Sequence, residues 1–243
     1  MLSIFIKELN SYFSSLIAYI SILLFIVIMG IFLWISPDSN ILSDGYATLD
    51  RFFNIAPWVI MFLIPALTMR SFSDEFKSGT IEILSTLPLK ESNIILGKFF
   101  ASFAIVLFSL IPSLLYVITI SQLSVIKGNI DSGGIIGSYI GLLFLNAAFT
   151  AIGVFCSSIT SNQVIAFLFA LFLNFILFSG FETLSQIPSF NNGIDYIISQ
   201  FGMQFHYNSI SRGALDSRDI IYFISIVIIF ILATKLSIEK RKW

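Results

Sequence analysis

The chain has 243 residues, 57% of them hydrophobic and only 11% charged, with a mean hydropathy of +0.95. Soluble domains carry about 25% charged residues, so a water-soluble globular protein and a disordered chain are excluded; thirteen basic against fourteen acidic residues offer no field for a nucleic acid. One cysteine (Cys156) and one histidine (His206) permit neither an internal disulfide nor a Cys-based zinc site.

Residues 1–13 place Ile4, Phe5, Leu9, Tyr12 and Phe13 near helical spacing, with Lys7, Glu8, Asn10 and Ser11 between them. The pattern predicts an amphipathic helix lying in the membrane interface. A cleaved secretory signal is the rival reading. It is rejected because the apolar run that follows is too long and ends in Trp34-Ile35-Ser36-Pro37. A helix needs about 20 largely apolar residues to cross the hydrocarbon core, and the chain supplies such runs repeatedly. The first span is expected at about 16–35 and the second at about 54–70, the latter carrying Pro57 and Pro65.

Residues 71–98 then form a charged loop. Between Arg70 and Lys98 lie four basic and four acidic residues, a balance unlike the basic excess of a membrane-surface anchor. Within it, Thr80 is suited to cap a short helix and Glu82 to sit in its positive first turn. Ile81, Leu84 and Leu87 would line one face and Pro88 would end it after two turns, about 12 Å. The plainer reading is a loop helix that merely joins two spans.

The third span is expected at about 99–122, with Pro112 bending it. Residues 132–181 contain no charge over a length that requires two spans, about 135–157 and 163–181, turned at the polar stretch Ser157 to Gln163. In the first of these, Gly137 and Gly141 form a G-x-x-x-G pair, and Ala147 and Ala151 continue the small-residue stripe. Such a stripe serves packing within the chain or a dimer interface. An external segment, 182–218, is broken by Pro188, Gly193 and Gly202. It is aromatic at Tyr196, Phe201, Phe205 and Tyr207, as an interfacial belt would be, and His206 is expected to be hydrogen-bonded within it. Asp216, Arg218, Asp219 and Arg212 offer opposite charges for fixing the start of the sixth span, about 219–237.

Six spans put both ends of the chain on one side. That side collects nine of the thirteen basic residues, which predicts a multi-pass protein with cytoplasmic termini. The apolar runs hold no Asp, Glu, Lys, Arg or His. Ion- or proton-coupled carriers need such groups within their spans, so energy is expected from outside the membrane. An enzyme acting on lipid would need clustered nucleophile, base or metal ligands, and the spans supply none. No G-x-x-x-x-G-K-[ST] phosphate loop is present, so the chain is not expected to be an enzyme or to bind a nucleotide itself.

Glu75, Gly79-Thr80-Ile81-Glu82, Leu84 and Pro88 together resemble the signature of the permease subunits of type-2 ATP-binding-cassette (ABC) transporters. The six spans and the amphipathic start extend that resemblance over the whole chain. A narrower resemblance is to the gliding-motility-associated permease subunits. It rests on Asn40-Ile41-Leu42, Gly45-Tyr46, Ala56-Pro57-Trp58, Phe62 to Ala66, Thr68 to Phe72, Gly128 to Asp131, Gly137-Ser138-Tyr139 and Ser209 to Gly213. The resemblance implies an all-α, polytopic fold in a bacterial inner membrane, with a coupling helix between spans two and three and short external helices before span six. It implies that Glu75, Gly79, Thr80, Ile81, Glu82, Leu84 and Pro88 transmit work from a separate cytoplasmic ABC ATPase that holds ATP and Mg. It further implies a second permease or auxiliary membrane subunit, in a homo- or heterodimer surrounded by lipid, with no nucleic acid. The sequence departs from the pattern at Phe76, where a basic residue is expected. A non-transporting scaffold or mechanotransmission subunit of an envelope machine is the alternative function.

Overall fold

The computed structural model describes residues 1–36, 41, 47–80, 90–124, 130–187 and 193–240. Of the described residues 86% are helical and none lies in a strand, and six helices among them are long and apolar enough to cross a membrane. The fold is therefore that of an all-α polytopic membrane protein. Lipid cannot satisfy a backbone N–H or C=O, and a helix closes every such bond within its own segment.

Helix α1 (Leu2–Ser14) lies before the first crossing, which is α2 (Leu16–Gly30) continued by a π-helical turn (Ile31–Ile35). Helix α3 (Asp50–Thr68) is the second crossing, and it continues through both Pro57 and Pro65. A six-residue helix, α4 (Ser73–Ser78), follows it. The third crossing is α5 (Glu91–Leu110), a 3₁₀ turn at Ile111–Ser113, and α6 (Leu114–Leu123). The helix type thus changes at Pro112, which has no N–H to donate. Helix α7 (Ser132–Ile159) is the fourth crossing, capped by Asp131, whose Oδ1 accepts from the Gly134 N–H at 3.0 Å. The fifth is α8 (Gln163–Phe175), a second π turn (Ile176–Gly180) and α9 (Phe181–Ser185). Short helices α10 (Ile194–Ser199) and α11 (Met203–Ser211) precede the sixth crossing, α12 (Ser217–Lys240).

Two details differ from the sequence reading. The third helix starts at Glu91, eight residues ahead of its apolar run, and so draws Lys98 into the helix. The hairpin between crossings four and five takes only Thr160, Ser161 and Asn162. Ser157 and Ser158 remain helical because their hydroxyls bond backwards to the Val154 and Phe155 carbonyls at 2.8 and 2.7 Å, which removes their need for water.

Helix α7 is the hub, packed against α3, α5, α8, α11 and α12. In its most apolar stretch 72% of residues are buried, and 61% in that of α3. The corresponding figures are 22% for the first crossing and 11% for the sixth, whose apolar faces this chain leaves largely uncovered. Gly137 allows the close approach of α11: a Cβ there would lie 2.5 Å from the Ile210 carbonyl oxygen, and one at Gly141 would lie 3.1 Å from the Tyr207 ring. Both glycines are therefore covered by this same chain. Ala151 is buried and Ala147 half-buried further along the helix.

Candidate functional site: a charged elbow on the terminal face

An even number of crossings places α1, the α3–α4 elbow, the start of α5 and the end of α12 on one face, here called the terminal face. At the elbow the Ser71 N–H bonds the Thr68 carbonyl at 2.9 Å, and the chain turns directly into α4. Asp74 and Glu75 occupy the first turn of α4 and Lys77 the last, each matched to the helix dipole. Gly79 ends α4 in the left-handed region (φ 71°), which a residue with a side chain adopts only at a cost. The Thr80 hydroxyl is 2.9 Å from that of Ser78.

Glu75 points inward and is only 9% exposed. Its Oε1 accepts from the Lys98 ammonium at 2.8 Å, and the same ammonium reaches Glu8 Oε1 at 3.0 Å. Lys7 adds a fourth charge, 3.4 Å from Glu8 and 3.7 Å from Glu75. Lys98 is 2% exposed and sits 5.2 Å from the centre of the buried Phe72 ring, a cation–π contact that helps replace lost water. Removing one member of such a buried pair costs about 3–5 kcal/mol, because the partner charge stays behind without compensation.

Three further contacts fix the elbow. The Asp74 carboxylate accepts from the Gln163 amide at the start of α8. The Tyr12 hydroxyl bonds the Leu67 carbonyl at 3.2 Å and lies 3.0 Å from Ser102 Oγ, joining α1 to α3 and α5. Burial raises the Tyr12 pKa, and the hydrogen bonds to it only partly oppose this. Phe76 stacks on Phe72 at 6.3 Å and packs into the small core of Ile4, Ile94, Ile95, Val154 and Ile238. The aromatic ring at this position thus belongs to the packing under the elbow.

Of the residues singled out from the sequence, Glu75, Gly79 and Thr80 lie at the elbow. Ile81, Glu82, Leu84 and Pro88 lie outside the described residues. The stripe of Gly137, Gly141, Ala147 and Ala151 is elsewhere, on α7. Sequence reasoning missed Lys98 and Glu8. Glu8 falls at the helical spacing Ile4–Glu8–Tyr12, so it shares the buried stripe of α1 rather than its wet face. Lys98 lies beside Gly97, where a Cβ would meet Ile4 Cγ2 at 2.8 Å. A glycine next to a lysine in the first turns of an apolar helix was the available signal for α1 docking there.

The opposite face has its own polar knot. His206 Nδ1 is 2.7 Å from Asp219 Oδ1, His206 Nε2 is 2.8 Å from the Gln200 carbonyl, and the ring stacks on Tyr222 at 3.8 Å. Asp219 is thus partnered by histidine, not by the nearby arginines the sequence suggested.

Among the described residues no group of three or more His, Cys, Asp or Glu side chains is gathered as a metal site requires. Six apolar crossings, a hub helix and charges gathered at the two ends define a polytopic membrane protein. The profile of the ABC-2 family transporter proteins matches residues 36–238, and the chain belongs to that family. No curated protein matches it.

Proposed function

We propose that this chain is the permease subunit of an ABC transporter that receives work from a separate ATPase through the segment between crossings two and three. The observation that supports this reading is the Lys98–Glu75–Glu8 cluster. It roots the start of that segment in α1, α4 and α5 at once, so a push on α4 is delivered to crossings two and three and to the interfacial helix together. Glu75 serves as the root of the lever. Gly79 turns the chain at its tip, and Thr80, Ile81, Glu82, Leu84 and Pro88 follow as the docking surface. ATP and Mg are held by the partner, and the chemistry of hydrolysis is the partner's. The membrane is the bacterial inner membrane, the terminal face is cytoplasmic, and a second permease or auxiliary subunit completes the assembly. Export or envelope work in a gliding-motility system is the narrower role that the sequence resemblance supports.

The test is purification of the tagged chain in mild detergent with identification of what accompanies it. An ABC ATPase is expected. Replacing Gly79 with a bulky residue and Glu82 with lysine should release that ATPase while the permease stays inserted. Retention of an equally active ATPase by the double variant would overturn the assignment.

A further inference from the structure

A cavity of about 210 Å³ opens beneath the elbow, lined by Lys7, Glu8, Ser11, Tyr12, Ser15, Ile17, Arg70, Ser71, Asp74, Glu75 and Lys98. Its height in the membrane follows from the chain itself. The first crossing starts at Leu16, the second ends at Thr68, and the apolar run of the third begins at Phe99. Ser15, Ile17, Arg70, Ser71 and Lys98 all line the cavity, so it lies where hydrocarbon gives way to headgroups. A polar, half-enclosed space at that level is within reach of lipid headgroups.

The charges select among headgroups. The lining carries three cations, Lys7, Arg70 and Lys98, and three carboxylates, Glu8, Asp74 and Glu75. The buried Lys98 is consumed by Glu75 and Glu8. Arg70, which is exposed, and Lys7 at 61% side-chain exposure are the cations within a ligand's reach. Arginine grips phosphate through two parallel N–H donors. Asp74 and Arg70 line the same cavity of about 210 Å³, a space on the scale of one short zwitterionic headgroup. A purely anionic headgroup meets three carboxylates, and a trimethylated ammonium has no N–H to give them. A phosphate joined by two carbons to a primary ammonium matches both halves of the lining. We infer that this cavity is a binding site for the phosphoethanolamine headgroup of a membrane lipid, its phosphate on Arg70 and Lys7 and its ammonium on Asp74 and Glu8. The assignment stands whether or not an ATPase docks on the elbow.

The test uses the full chain in mild detergent, stripped of lipid, with short-chain phosphatidylethanolamine, phosphatidylcholine and phosphatidylglycerol added in turn and retention read by native mass spectrometry. Phosphatidylethanolamine should bind about tenfold more tightly than the other two, the loss expected when a charge-assisted hydrogen bond is removed. Arg70→Ala and Asp74→Asn should each erase the preference, and Arg70→Lys should keep part of it. Gel filtration identifies any variant that fails to fold, and Lys7→Ala, at the exposed rim, then carries the same comparison. Free phosphoethanolamine should leave the lipid bound up to about millimolar concentration. Equal binding of the three lipids, or a preference that survives the substitutions, overturns the site. Displacement by micromolar phosphoethanolamine reassigns it to a soluble ligand and overturns the lipid assignment.

Discussion

The polar knots on the two faces of the membrane are built differently. On the terminal face one ammonium serves two carboxylates, and the partners lie 23 and 90 residues away in sequence. On the far face His206 and Asp219 are 13 residues apart and close a local turn before the last crossing. The first ties α1, α4 and α5 into one body; the second pins α11 to the head of α12. Long-range charge pairing thus joins three separate segments, and local pairing holds down a short excursion.

Breaking each knot tests that contrast. Lys98→Met should cause the largest loss, about 3–5 kcal/mol, because two buried carboxylates lose their cation. It should appear as a lowered midpoint of thermal unfolding and as new protease sites in α1 as well as α4. Adding Glu75→Gln and Glu8→Gln to Lys98→Met should restore much of the loss, since the one charge left, on Lys7, is exposed to solvent. His206→Ala should cost less, about 1–3 kcal/mol, and hydrogen exchange should quicken only around residues 193–219. Exchange that quickens at both faces in either variant would defeat the comparison.

The crossings themselves were legible because lipid demands long uncharged helices, a constraint that leaves a strong mark on residues 16–35 and 132–181. The knots were legible only in part. A hydropathy reading assigns Lys98 to the loop because charge and burial are treated as opposites, yet a lysine with two carboxylates and a Phe72 face can lie inside the helix. Glu8 was hidden for a related reason: only the register with Ile4 and Tyr12 marks it as inward. The packing of Gly137 and Gly141 under α11 was one of two readings of a small-residue stripe, and no sequence pattern names which helix covers it.

Smaller effects sharpen the picture of the terminal face. Gly79→Ala should cost about 1–2 kcal/mol, the strain of a left-handed residue with a side chain, read in the unfolding midpoint without loss of the Lys98 cluster. The smallest effect concerns alkaline pH. Tyr12 has a raised pKa in the folded chain, so its unfolded form releases a proton first, near pH 10. The stability it contributes is complete below that value and is lost as pH rises through the folded one. Tyr12→Phe should make the decline above pH 10 shallower, measured by thermal unfolding across an alkaline series.

Crossings one and five each contain a π-helical turn near the far face, Ile31–Ile35 and Ile176–Gly180. A π turn holds one residue more than an α-helix needs for the same winding. Each is therefore a place where a single residue can be excised and the coil rewound without shifting the helical register of what comes before or after. These two bulges are slack stored in otherwise taut rods, and they give the outer ends of crossings one and five a length that the rest of the bundle does not dictate.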